Sequence, residues 1–96
     1  MGGAESKLVN ELLDAILCGR EGKVARLLKK EPKLAMCDFY SGVTNPVCRA
    51  TYLGHRNIVS LLLKYGADVN KQSQDLRSPL IWAAFRDNTQ MIEFLL

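Results

Sequence analysis

Asn45-Pro46-Val47-Cys48-Arg49-Ala50-Thr51-Tyr52-Leu53-Gly54-His55-Arg56-Asn57-Ile58-Val59-Ser60-Leu61-Leu62-Leu63-Lys64-Tyr65-Gly66 is the stretch that decides the fold of this chain. Asn45 is an N-cap residue, and Pro46 follows at the first helical position, where a missing N–H costs nothing. Ala50 leaves room for a neighbouring helix, and Leu53-Gly54-His55 makes a tight turn. The second half places Ile58, Val59, Leu62 and Leu63 on one stripe of a second helix. Gly66 ends that helix because glycine takes the left-handed conformation without a Cβ clash, and Ala67-Asp68-Val69-Asn70 leads away. Two short antiparallel helices follow from this grammar, with an apolar face that neither can hide alone.

The same grammar recurs. Ser78-Pro79-Leu80-Ile81-Trp82-Ala83-Ala84 overlays Asn45 to Thr51 at an offset of 33 residues, and Asp87 to Leu96 overlays Gly54 to Leu63 at the same offset. A fainter copy runs through Leu12 to Leu17, Gly19 and Val24 to Leu28, 35 residues before the middle one. Its outgoing loop therefore carries about two extra residues. Pro32 stops the second helix of that first copy.

These residues resemble the ankyrin repeat: Asn45-Pro46-Val47, Ala50, Gly54-His55, Ile58-Val59, Leu61-Leu62-Leu63 and Gly66-Ala67-Asp68-Val69-Asn70, with Ser78-Pro79-Leu80 and Ala83-Ala84 in the next copy. The resemblance implies an all-α solenoid of about three stacked helix-turn-helix units, the last one uncapped. The expected layout is a flexible tail at 1–7, a charge-rich N-terminal capping repeat at 8–37, a repeat at 38–70 and a truncated repeat at 71–96. The family's usual histidine in its Thr-Pro-Leu-His start is replaced by Cys48 and Ile81. Loss of the histidine's loop-tying hydrogen bonds implies a less rigid stack. Asp87 stands where the turn glycine is expected, and Asp-Asn tolerates turn conformations.

The resemblance also implies a protein-binding surface on the concave side, formed by the loops and the first helix of each repeat. The matching loop positions are Phe39, Tyr40, Ser41 and Thr44, then Gln72, Gln74, Asp75 and Arg77. The helix positions are Arg49, Tyr52, Leu53, Trp82, Phe85 and Arg86, with Tyr65 near the same rim. Tyr, Trp and Arg are the residues that dominate interface hot spots. For Trp82 and Phe85 the alternative is packing between repeats. For Phe39 and Tyr40, in the lengthened loop, recognition and folding back onto the first repeat both stand.

Trp82, Phe85, Met91, Ile92, Phe94, Leu95 and Leu96 crowd the last unit with apolar surface. Terminal repeats ordinarily carry a polar outer face. Two expectations follow: the sequence is part of a longer protein or a shortened isoform without independent binding, or this unit self-associates.

Met1-Gly2-Gly3-Ala4-Glu5-Ser6 fits the N-myristoylation pattern, with Gly2 as the acylated residue. One such chain gives weak, reversible membrane binding. A membrane-tethered scaffold is thus the alternative to a simple adaptor. Cys18, Cys37 and Cys48 are odd in number and irregularly spaced, without a CxxC. That pattern argues for thiols in a reducing compartment, hence a cytoplasmic protein.

The 13 basic and 10 acidic residues leave a net charge of +3 and no basic stripe, so no nucleic-acid partner is expected. His55 is the sole histidine and falls in an inter-helix turn. No glycine-rich phosphate loop, catalytic constellation or metal-ligand spacing occurs, so neither enzymatic activity nor a cofactor is expected.

Overall fold

A computed structural model describes residues 3–96, with side chains from Lys7 onward except Ser41. Six α-helices form three antiparallel pairs: α1 (Gly3–Leu17) with α2 (Glu21–Lys30), α3 (Pro46–Leu53) with α4 (Arg56–Lys64), and α5 (Pro79–Phe85) with α6 (Thr89–Leu95). The described residues contain no strand, only one isolated antiparallel bridge between Phe39 and Thr44. The first helices pack in the row α1, α3, α5, and α2 packs beside α4. The all-α solenoid expected from the repeats is therefore the fold observed. Gly2, the residue expected to be acylated, lies outside the described residues. α1 begins at Gly3, inside the stretch 1–7 read as a tail.

Helix starts follow the cap chemistry. Asn45 Oδ1 accepts the Cys48 N–H at 3.0 Å, Ser78 Oγ accepts the Ile81 N–H at 3.4 Å, and Asn88 Oδ1 accepts the Met91 N–H at 3.0 Å. Four of the helix ends, those of α1, α3, α4 and α5, share one device. After α4, Ala67 N–H bonds to Leu62 O at 3.0 Å and Gly66 N–H to Leu63 O at 3.1 Å, with Gly66 left-handed at φ 101°. The turn inside each pair repeats this pattern at Gly19, Gly54 and Asp87, spaced like the repeats themselves.

These turns also stack. A Cβ at Gly19 would lie 3.1 Å from His55 Cε1, and one at Gly54 would lie 3.5 Å from Asn88 Nδ2. Each turn thus rests on the glycine of the turn before it, which gives His55 a packing role. Asp87 adopts the same conformation at φ 55° with an exposed side chain, so nothing there demands the missing Cβ. The backbone penalty alone remains.

The core is a continuous seam. Leu12 and Ile16 of α1, Val24 and Leu28 of α2, Val47 and Ala50 of α3, and Ile58, Val59 and Leu62 of α4 are all essentially solvent-free. Each large aliphatic side chain so buried stabilises by about 1.5–3 kcal/mol relative to exposure. The seam thins in the last pair, where Pro79, Ala83 and Met91 are the buried residues.

Phe39 corrects the sequence reading. It is the largest fully buried side chain, 1 % exposed, and is not available to a partner. Its N–H bonds to Thr44 O at 2.9 Å and its O accepts the Thr44 N–H at 3.3 Å, closing the lengthened loop over a short 3₁₀ turn, Tyr40–Gly42. Tyr40 follows in the left-handed conformation, φ 53°, as the chain enters that turn. With Phe39 turned into the core, Tyr40 is exposed.

Candidate functional site

The loop-to-helix corner of the third repeat sets one wall of a cleft. The single proton of Ser73 Oγ lies between Asp75 Oδ1 at 2.5 Å and Arg77 O at 3.1 Å, and the oxygen accepts the Trp82 indole N–H at 3.1 Å. Ser73 is itself buried, so these bonds lock the loop to α5. Arg77 is held by Asp75 (Nε to Oδ2, 3.4 Å) and lies over both Trp82, at 5.1 Å, and Phe85, at 5.5 Å. Trp82 meets Tyr52 of the second repeat edge-on at 5.4 Å and Phe85 at 5.8 Å. Arg86 covers the Tyr52 ring at 4.8 Å. Cationic and aromatic groups therefore alternate across the junction of the second and third repeats, each pair adding about 0.5–1 kcal/mol of order.

The cleft between these walls has a volume of about 580 Å³, within the range of ligand sites. Its lining combines Val43, Thr44, Cys48, Arg49 and Tyr52 with Gln74, Asp75, Arg77, Trp82 and Phe85. Eight of the residues expected on the binding surface come together here: Thr44, Arg49, Tyr52, Gln74, Asp75, Arg77, Trp82 and Phe85. Trp82 and Phe85 both pack between repeats and face the cleft, so the two readings of them merge. Leu53 and Arg86 line a smaller, more polar hollow that shares Tyr52. Tyr65 lines neither; it packs against the core at the end of α4, under Lys64 at 6.0 Å. Tyr40, exposed on its loop, lines neither as well.

Val43 and Cys48 were missing from the sequence-derived surface. Cys48 could have been found by asking what replaces the expected histidine. Its Sγ lies 3.3 Å from Lys71 O and 3.6 Å from Arg77 O, so the thiol donates into the next repeat's loop. Asn45 Nδ2 donates to Gln72 O at 3.4 Å in the same loop. Lys71 Nζ reaches back to Met36 O and the Asp38 carboxylate, each at 2.9 Å. The expectation that Cys48 cannot tie the loops is thus corrected, since a thiol is a weak but sufficient donor at this distance. Burial pushes the Cys48 thiol up to about 11, which keeps the proton that makes these bonds.

Apolar surface remains on the last pair: Ile81, Phe85, Phe94 and Leu96 are exposed, while Ile92 and Leu95 are partly covered.

The comparisons with known proteins agree with this architecture. Residues 7–96 match the family model described as ankyrin repeats (3 copies). Over 85 residues, 88 % of the chain, the sequence is 32 % identical to a probable E3 ubiquitin-protein ligase, XBOS33, of Oryza sativa subsp. japonica. The matched stretch spans 16 % of that relative's length.

Proposed function

The chain belongs to the ankyrin-repeat family, whose repeats are in general protein–protein interaction modules, and from that premise we propose that it is an adaptor holding a protein segment in the cleft between its second and third repeats. The observation that carries this reading is the ladder of Arg86, Tyr52, Trp82, Arg77 and Phe85 along one opening. Interlocked rings and guanidinium groups lose little freedom on binding and keep polar edges for hydrogen bonds. The relative's ligase chemistry is not carried over, because the likeness covers a small part of that protein. The odd, scattered cysteines support a cytoplasmic location.

The test is capture of partners from a cytosolic extract by wild type and by Tyr52→Ala, Arg49→Ala and Arg86→Ala, with melting temperatures as the control for folding. Loss of about tenfold or more in affinity at Tyr52 is expected from hot-spot behaviour. Unchanged binding in all three variants places the site elsewhere.

A membrane-tethered form is a second reading, favoured by the position of α1. Because α1 and α2 are antiparallel, the helix that begins at Gly3 starts at the end where α2 closes with exposed Lys29 and Lys30. An acyl chain on Gly2 would add to that basic end the second signal that stable membrane binding requires. Flotation of cell-expressed wild type and Gly2→Ala with vesicles containing anionic lipid tests it. Equal flotation removes the reading.

A further inference from the structure

We propose that the segment held in the cleft is acidic: one carboxylate side chain seats on Arg49, with an apolar or aromatic side chain beside it against Trp82 and Phe85. This rests on the protein-binding reading above and names the chemistry of its occupant.

Arg49 carries the inference. It lines the cleft, and its Nε is buried with no hydrogen-bond partner among the described residues. A guanidinium does not shed its charge at any accessible pH, so the mismatch cannot relax by deprotonation. Buried donors left without a partner are rare in folded proteins, and each calls for an explanation. Nε itself is sealed from the opening, so a ligand acceptor meets the terminal nitrogens of the half-buried guanidinium, which have no partner among the described residues.

The neighbouring charges fix the sign and size of that acceptor. Asp75 is the acid of the lining, and it is already engaged by Ser73 Oγ and Arg77 Nε. It does not serve Arg49. Arg77 is in turn held by Asp75 and by the rings of Trp82 and Phe85. The lining therefore has two cations, Arg49 and Arg77, against one anion, a surplus of one positive charge. A basic segment would meet that surplus unfavourably. A doubly charged phosphate would crowd Asp75 on the same wall. A single carboxylate matches the charge and accepts two hydrogen bonds from the planar fork of a guanidinium. The rings of Tyr52, Trp82 and Phe85 leave the rest of the opening suited to an apolar neighbour on the same segment.

The experiment pans a random peptide library against the full chain and measures affinities of the enriched peptides by fluorescence anisotropy. An Asp or Glu is expected at one fixed place next to an aromatic or aliphatic residue. Changing that acid to its amide should weaken binding about 10- to 100-fold on wild type and less than about twofold on Arg49→Gln. Arg49→Gln removes an unpartnered donor, so its melting temperature should be no lower than wild type; Arg49→Lys, which keeps the charge without the fork, should fall between. Peptides whose binding depends on Tyr52 but which carry no fixed acid overturn the carboxylate inference and leave the adaptor reading standing. The same follows if the amide change costs equally on wild type and Arg49→Gln. Enriched peptides indifferent to Tyr52→Ala and Arg49→Gln overturn the adaptor reading itself.

Discussion

Raising the pH should loosen this protein through one thiol. Cys48 is 1 % exposed, and burial moves its thiol from the ordinary 9.0 up to about 11. The folded chain therefore holds the Cys48 proton more tightly than the unfolded chain does. The contribution is complete below pH 9 and is lost as pH rises through 9 to 11. Two pH units correspond to about 2.7 kcal/mol in the alkaline limit, and about 1.3 kcal/mol is lost between pH 8 and pH 10. Cys48→Ser is the reference, because a hydroxyl still donates toward Lys71 O and Arg77 O but does not titrate in this range. The two proteins differ at position 48 alone, so the difference between them isolates that side chain. Urea unfolding under reducing conditions at pH 8 and pH 10 should show wild type losing about 1.3 kcal/mol more than Cys48→Ser over that interval. Parallel losses in the two proteins would refute the claim that the buried, hydrogen-bonded thiol is what ties the loops.

Phe39→Ala should cost about 3–5 kcal/mol, a large part of the stability of so small a domain, whereas Tyr40→Ala should change it by less than about 0.5 kcal/mol; chemical denaturation of both distinguishes the inward from the outward aromatic. Asp87→Gly should stabilise by about 0.5–1 kcal/mol, raising the melting temperature by about 3–6 °C, because the left-handed turn then carries no Cβ; an unchanged or lower melting temperature removes that account. Sedimentation equilibrium should show a mass that grows with concentration for wild type and not for a Phe94→Glu, Ile81→Glu double variant, if the exposed apolar groups of α5 and α6 self-associate; a monomer throughout ends that expectation.

The repeat was legible because its signals are local. Asn45 and Ser78 cap, Pro46 and Pro79 start helices, and Gly54 and Gly66 reverse the chain, each within a few residues of its effect. The offset of 33 residues then turned two local readings into an architecture. The cleft was legible in part for the same reason: Tyr52 and Phe85 sit at equivalent helical positions, as do Arg49 and Trp82, and the repeat dictates their direction. What escaped depends on geometry that residue type does not announce. Phe39 turns inward because its backbone pairs with Thr44, and composition cannot say which of two adjacent aromatics faces the core. In sequence Cys48 only marks the loss of the usual histidine, and the distance to Lys71 O is what reveals the thiol as a donor. Tyr65 follows α4 into the seam, where the cap geometry at Gly66 carries it away from the opening.

The thinning of the apolar seam toward α5 and α6 has a mechanical corollary. In a linear array each unit leans on its neighbour, so the least buried unit opens first, and amide exchange should be fastest from Pro79 onward. The cleft straddles that weak joint, with Tyr52 on the firm side and Trp82 on the soft one. An occupant would act as a splint: its affinity would be lowered by the work of holding the third pair shut, and protection from exchange in that pair would report occupancy before any change in shape could be seen.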